Sequence, residues 1–438
     1  MICVSLPGPT LEDLKKQIKE AQNTADFFEL RCDLYPDLET IQRAFKLCSL
    51  PVILTCRRLE WIPLLAELGP EYMDLDHTVP FQVDCKIIRS YHNYDETPQD
   101  LDSVLSNLTQ YPADIYKIAT QSTSILDSLR LLKLAQSTSV PLTVVGMGEL
   151  GECTRIMAPV FGCPIVYASP NSQQTTAPGQ IPAETLVKTY YHHQLNQETQ
   201  LYGLIGDPVA QSIGHIYHNN YMKDHNALYV RLRVTEEELA EFLPLATNLG
   251  FCGFSVTMPH KENILSFLHQ LDSKAHSIGA VNTIAVKETQ LMGMNTDADG
   301  ALDALEAVTP VEGKTLVLLG AGGSSRAIAF EAIRRGARVM ILNRTPEKAI
   351  KLANHLGCCG GSLGDLEKIS YDILINTTPH SCPIDHDQLK PNSLVMDLSI
   401  TPRETVFLKV AQQKAATTVD GHAMFEKQAA AQRDIWFS

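Results

Sequence analysis

Four groups of residues carry the chemistry legible in this chain. The first is Lys117 in Ile115-Tyr116-Lys117-Ile118-Ala119. An ammonium among apolar strand neighbours is expensive to bury, and desolvation favours the neutral amine. A neutral amine attacks a ketone to form a Schiff base. A strand-end lysine that snorkels or pairs with a carboxylate accounts for the same spacing. The second is His92, at the end of the preceding apolar run, which can serve as a general base beside such a lysine. The third is Gly320, Ala321, Gly322, Gly323 and Ser324 behind the apolar run Leu316 to Leu319. Glycines there let the backbone turn and approach a pyrophosphate, which a helix N-terminus attracts. Ser325 stands where a third glycine is usual. The run Val339 to Leu342 then ends in Asn343-Arg344-Thr345 with Lys348 behind, where an NAD site places an acid. A cation there suits a 2′-phosphate, so the cofactor is read as NADP(H). The fourth is Lys261 and Asp297, each at a strand end. They are either a surface ion pair or a proton-transfer pair serving hydride chemistry.

The elements that position these residues follow from periodicity. Eight short apolar runs precede residue 170: Ile2–Leu6, Phe27–Leu34, Val52–Arg57, Tyr72–His77, Lys86–His92, Ile115–Thr120, Leu142–Gly146 and Pro164–Ser169. Helical stretches lie between most of them, at Leu11–Asn23, Leu38–Leu47, Leu101–Thr109 and Ile125–Ala135. This predicts an α/β chain opening with a (β/α)8 TIM barrel, thinly covered after strands three and four. Barrel chemistry sits at strand C-terminal ends, which here carry Glu29, Arg31, Asp33, Arg57 and His92, with Lys117 inside strand six. The polar stretch Tyr190 to Gln200 reads as a linker. Its His192-His193 pair has no Cys, Asp or Glu at ligand spacing, so no metal is expected. A new strand begins at Leu201, and the glycine-rich unit, with its helix over Ser325 to Arg334, reads as a Rossmann lobe.

Composition narrows the function classes. The chain has 438 residues, 44% hydrophobic and 20% charged, an ordinary globular balance sufficient for two to four domains. Its 36 Lys and Arg against 50 Asp and Glu give a formal charge of -14, which argues against nucleic acid as the main partner. No apolar run reaches membrane-spanning length, and the N-terminus has no targeting character. Eleven cysteines without a C-x-x-C pair fit a reducing cytoplasm and no disulfides.

Residues 1 to about 190 resemble type I 3-dehydroquinate dehydratase. The matching stretches are Glu29-Leu-Arg31, Thr55-Cys-Arg57, Ser90-Tyr-His92, Ala113-Asp-Ile-Tyr-Lys117, Arg155 before Phe161-Gly162, and Thr176-Ala-Pro-Gly-Gln180. The resemblance implies a Lys117 imine with the substrate ketone and His92 as general acid and base. It implies Arg155 on the carboxylate, with Glu29, Arg31, Arg57, Thr176 and Gln180 lining the pocket. The family's glutamate four residues after the strand-three arginine is Trp61 here, leaving Glu60 as the nearest substitute.

From Leu201 onward the chain resembles shikimate dehydrogenase. The motifs are Gly206-Asp-Pro with Ser212, Val256-Thr257-Met-Pro-His-Lys261, Gly279-Ala-Val-Asn282-Thr, Asn295-Thr-Asp297, Gly320-Ala-Gly322-Gly323, Asn343-Arg344-Thr345 and Met424-Phe-Glu-Lys-Gln428. The resemblance implies a Lys261–Asp297 dyad, substrate contacts from Ser212, Ser255, Thr257, Asn282 and Gln428, and an NADP phosphate held by Asn343, Arg344 and Thr345. Ser255 stands where many bacterial members have Asn, as in plant forms. The two halves in this order resemble a plant fusion without its plastid leader. The family's S-x-S grip reads Ser212-Ile-Gly214, and a family tyrosine is Ile400. Both changes remove hydrogen-bond donors to substrate.

The expected domains are 1–195 (dehydratase barrel), 200–300 (substrate lobe), 301–420 (Rossmann lobe) and 421–438, a segment returning to the substrate lobe. The expected function is dehydration of 3-dehydroquinate followed by NADPH-dependent reduction to shikimate, with small-molecule partners and neither nucleic acid nor membrane. Rivals are a quinate/shikimate dehydrogenase in the second half, a Schiff-base aldolase, and a metabolite-sensing regulator built from inactive copies. The first follows from Gly214. The second is opposed by Arg155 and the Ala-Pro-Gly-Gln stretch. The third should have lost Lys117 or Lys261 and gained a basic segment.

Overall fold

The computed structural model describes residues 1–8, 10–79 and 82–438. It divides into two compact units. The first holds residues 1–203 and 212–251, and the second 204–211 and 252–438.

In the first unit, eight strands form one parallel sheet: β1 (Ile2–Leu6), β2 (Phe27–Arg31), β3 (Val52–Thr55), β4 (Tyr72–Asp76), β5 (Lys86–Asn93), β6 (Ile115–Gln121), β7 (Leu142–Met147) and β8 (Val166–Ala168). Their order is β7-β6-β5-β4-β3-β2-β1-β8. The ring is nearly closed between its end strands, where the Thr143 hydroxyl donates to Ile165 O at 3.2 Å and accepts from Ile165 N at 3.3 Å. Every strand sends an apolar side chain inward to one cluster, including Cys3, Phe27, Ile53, Tyr72, Ile88, Ile115, Val145 and Tyr167. That cluster plugs the barrel, so polar inward positions find room only toward the strand C-termini. All eight apolar runs are strands, though two end well before their composition suggests and one begins later. Cys32–Leu34 turns into a 3-10 helix after Arg31, Cys56-Arg57 leaves the sheet after Thr55, and β8 begins only at Val166. Cover after β3 is one short helix, Ile62–Ala66, and no helix separates β4 from β5 among the described residues.

The first unit also contains β10 (Ala227–Arg233), which lies beside the start of β9 (Gln200–Gly206), together with the helices Gly214–Met222 and Leu239–Asn248. In the second unit the end of β9 neighbours β11 (Phe251–Val256). The ladder continues through β13 (Thr283–Lys287) and β14 (Gln290–Met294) to β12 (Gln270–Leu271). The pairs β11–β13 and β13–β14 are antiparallel.

A parallel sheet completes the second unit: β15 (Thr315–Leu319), β16 (Arg338–Asn343), β17 (Cys359–Ser362), β18 (Ile373–Asn376), β19 (Leu394–Asp397) and β20 (Thr417–Val419). The order β17-β16-β15-β18-β19-β20 is that of a doubly wound Rossmann sheet, whose switch point lies beside β15. The final helix, Gly421–Trp436, runs against the helix Asp297–Glu306. Gly300 permits this closeness, since a Cβ there would lie 2.8 Å from Gln428 Cβ.

Candidate functional site

The barrel cavity collects side chains from most of its strands, because parallel in-register pairing brings the strand ends to one level. Ser5 is opposite Glu29, Thr55 opposite Asp74, and Ser90 opposite Lys117. Glu29, Arg31, Arg57, His92, Lys117, Arg155, Thr176 and Gln180 all line it. Lys117 is buried, and its Nζ donates to Asp74 Oδ2 at 2.6 Å. Asp74 is fully enclosed and also accepts from Ser90 Oγ at 2.6 Å. Burial alone would raise the Asp74 carboxyl. The cationic Lys117, then Arg57, outweigh it and hold the group well below the usual carboxylate range. Lys117 Nζ also lies 4.2 Å from the centre of the Tyr167 ring.

His92 reaches this pair from β5. Its Nδ1 is 3.4 Å from an Arg57 nitrogen, and its ring stacks on Tyr94. Burial, then the Lys117 charge, depress the imidazole to about 3, so it stands neutral and able to accept a proton. Glu29 is fixed by hydroxyl donors, Thr55 Oγ1 at 2.7 Å and Ser5 Oγ at 2.5 Å. Gln180 Nε2 donates to Ser5 at 3.4 Å, and Gln180 Oε1 accepts from Thr176 N at 2.7 Å. Arg31 is held by Asp33 at 2.8 Å. Arg155, on the helix Glu152–Met157, is fully buried and donates to Gly146 O at 2.6 Å, while its Nε has no hydrogen-bond partner. Burial pulls the guanidinium down to about 10, and an incoming carboxylate would relieve that cost.

Glu60 is corrected by this geometry. It lies in the turn Leu59–Trp61, is exposed, and is not among the lining residues. The turn leaves the sheet after Thr55, and Glu60 stands in solvent on it. The carboxylate beside Lys117 is Asp74, which sequence reasoning passed over. The signal was present, since an acid inside Tyr72-Met-Asp-Leu-Asp76 has the same anomalous setting as Lys117 itself. Ser5, Thr55 and Tyr167 were also missed, and nothing in the sequence separates them from ordinary strand residues.

The second unit carries the other centre. Lys261 lies in the short helix His260–Asn263 after β11, and Asp297 begins the helix Asp297–Glu306, where the free N–H groups favour an anion. Lys261 Nζ donates to Asp297 Oδ2 and, at 3.0 Å, to Ser324 Oγ in the glycine-rich turn. Asn282 Nδ2 donates to Asp297 Oδ1 at 2.9 Å and lies 3.2 Å from Gln428 Oε1. Ser255 Oγ instead bonds Gln432 Oε1 at 2.9 Å, and Gln432 Nε2 donates to Asn282 O at 3.0 Å. Gln432 is therefore a further polar residue of this centre, hidden from sequence reading because only the fold of the last helix returns it. Thr257 is half-buried at the end of β11. Ser212 belongs to the first unit, where its hydroxyl accepts from Gly214 N at 3.1 Å.

The residues of the glycine-rich turn fit a dinucleotide. Gly320 has φ +119°, and a Cβ there would lie 2.4 Å from Thr377 Oγ1. A Cβ on Gly322 would meet nothing within 4 Å, so open space lies in front of the turn. No side chain caps the helix Gly323–Arg334, leaving its first N–H groups available. Asn343 caps the turn at β16 through Thr345 O at 3.0 Å, and Arg344 and Lys348 are exposed beside it.

Comparison with known proteins follows the same division. Family models match as Type I 3-dehydroquinase over residues 2–197, Shikimate dehydrogenase substrate binding domain over 204–284, and Shikimate / quinate 5-dehydrogenase over 303–416. The bifunctional 3-dehydroquinate dehydratase/shikimate dehydrogenase of Arabidopsis thaliana is 34% identical, aligning 100% of this chain with 82% of that one. A shikimate biosynthesis protein of Chlamydia pneumoniae is 32% identical over 100% of this chain and 95% of its own. A shikimate dehydrogenase from Thermus thermophilus, solved with NADP(H) and shikimate, is 32% identical and covers 54% of this chain and 93% of its own, with TM-score 0.51. Matched along its whole length by proteins that join the two enzymes in one polypeptide, the chain belongs to the bifunctional 3-dehydroquinate dehydratase/shikimate dehydrogenase family.

Proposed function

We propose that the barrel dehydrates 3-dehydroquinate to 3-dehydroshikimate and that the second half reduces this product to shikimate with NADPH. The buried Lys117–Asp74 pair beside a neutral His92 carries the first reading. Lys117, after giving up a proton, attacks the substrate ketone, and water leaves as the imine forms. His92 then removes a proton from the neighbouring carbon, and the electron pair is delocalised toward the imine nitrogen. The low proton affinity of His92 makes its conjugate acid a ready donor to the departing hydroxyl. Water releases the product and regenerates Lys117. Arg155 clamps the substrate carboxylate, while Glu29, Arg31, Arg57, Thr176 and Gln180 orient its hydroxyls. Asp74 orients the Lys117 amine.

In the second half, NADPH supplies the hydride when bound. Lys261 and Asp297 deliver the matching proton to the carbonyl oxygen, and Asn282 orients Asp297. Ser255, Thr257 and Gln428 contact the substrate. Gly320, Ala321, Gly322, Gly323 and Ser324 would hold the pyrophosphate, and Asn343, Arg344, Thr345 and Lys348 the 2′-phosphate. This reading divides the chain functionally at 1–195, 200–300, 301–420 and 421–438, and places it in the cytoplasm. Among the described residues no helix is long and apolar enough to cross a membrane. Incubating the purified full chain with 3-dehydroquinate tests the whole scheme. Enone absorbance should appear without cofactor, and NADPH oxidation should follow when it is added. Absence of the enone would reject the barrel assignment.

A second reading concerns substrate choice. A Cβ at Gly214 would lie 3.2 Å from Ser212 Oγ and 3.7 Å from the Tyr229 ring. The glycine thus leaves one hydroxyl fewer and more room at that motif, which favours some oxidation of quinate.

A further inference from the structure

We propose that Arg231, a residue of β10 in the dehydrogenase half, is a positioning residue for the dehydratase, holding Glu152 away from the carboxylate-binding Arg155. The inference rests on the reading of Arg155 given above. Glu152 and Arg155 are three residues apart on the helix Glu152–Met157, so their side chains share a face. Arg155 is fully buried, donates to one neutral acceptor, Gly146 O, and keeps Nε without a hydrogen-bond partner in the cavity wall. Such a guanidinium invites an anion, and Glu152 is an anion within electrostatic reach of it. If Glu152 swung inward, it would compete with the substrate carboxylate for the same donors.

The structure supplies a reason why it does not. Arg231 Nη2 lies 3.7 Å from Glu152 Oε1, both side chains being largely shielded from solvent. Arg231 is itself steadied by the buried Tyr190 hydroxyl, with which it hydrogen-bonds. Glu152 therefore sits between two guanidiniums, one belonging to the barrel site and one to the second half of the chain. The helix bearing Glu152 also lies against β10, so the pairing is backed by packing between the elements that carry it. Here the fusion contributes to the first reaction: the dehydrogenase half completes the charge balance of the dehydratase pocket.

The test is a double-mutant cycle on the full chain, read as kcat and KM for 3-dehydroquinate. Arg231→Met should raise KM roughly fivefold and leave kcat within about twofold, the signature of weakened carboxylate binding. Arg231→Lys retains the cation and should stay near the wild-type KM. In the Glu152→Gln background, Arg231→Met should add nothing, because the competing charge is gone. A KM unchanged by Arg231→Met, or raised equally with Gln at 152, would overturn the proposal; the second result would mark a merely structural role. If Arg231→Met does not fold, Arg231→Lys and Glu152→Gln/Arg231→Lys carry the comparison, and a KM raised in both rejects the mechanism. Arg155→Met separates the two levels. It should raise KM more than Arg231→Met does, and an unchanged KM there would remove the assignment of Arg155 itself and this proposal with it.

Discussion

At the residue scale the barrel chemistry depends on one ion pair and its neighbour. Borohydride added with 3-dehydroquinate should leave a covalent adduct on Lys117, detected by mass. Lys117→Ala should abolish trapping and dehydration while shikimate oxidation persists. An adduct on another lysine would reject the assignment. Asp74 and Glu60 should behave oppositely. Asp74→Asn strands the Lys117 ammonium in a buried site, and removing one partner of such a pair costs about 3–5 kcal/mol. The denaturation midpoint and the dehydratase rate should both fall. Glu60→Gln changes an exposed turn residue and should alter kcat/KM by less than about twofold, roughly 0.4 kcal/mol. The sequence made Lys117 conspicuous because a charge stood among apolar residues. It marked β4 as carrying buried acids but not which of them meets Lys117, because Asp74 and Asp76 look equivalent on paper. The pleat puts both on the same face of β4, and only their level along the strand, fixed by the parallel register, sets one against Lys117 and the other near the mouth beside Arg57.

At the scale of elements, the glycine-rich turn separates folding from binding. Gly320→Ala forces a side chain onto φ +119° and into Thr377, so it should destabilise by more than about 1 kcal/mol. Gly322→Ala meets no protein atom, so the melting temperature should hold while the KM for NADP rises roughly tenfold, about 1.4 kcal/mol. Equal effects on stability at both positions would contradict this account of the turn. Arg344→Ala, at the end of β16, should reduce a preference for NADP over NAD that the wild type holds by at least roughly tenfold. If the wild type used both cofactors equally, the exposed cation at this strand end would have no phosphate to bind. The turn, its strand and the cation were legible in sequence because they are contiguous, local features.

At the scale of the whole molecule, the buried histidines set an acid limit. Burial depresses His92 and His192 to about 3 and His215 to about 4, from an ordinary 6.5. Each stays neutral when folded, while its unfolded form takes up a proton as the pH falls below about 6.5. Stability is thus fully present above that value and declines toward the folded values, by at most about 1.4 kcal/mol per pH unit for each histidine. Urea midpoints at pH 7.5, 6 and 5 should fall in that order. A flat profile would mean these rings are not desolvated in the folded chain. Gly214→Ser should lower the KM for shikimate and impair any oxidation of quinate, with kcat for shikimate retained because Lys261 and Asp297 are untouched. An unchanged shikimate KM would assign that contact to another residue. By itself the sequence determined the order of strands and helices, the barrel and Rossmann patterns, and the lysines, histidine and glycines that announce chemistry. Those depend on period, composition and neighbours along the chain. The tertiary structure alone decided that Asp74 meets Lys117 while Glu60 stays outside the cavity, that Gln432 returns to Asn282, and that Arg231 faces Glu152. Each of these joins residues far apart in sequence, and such pairing is set by register and packing, which no local pattern encodes.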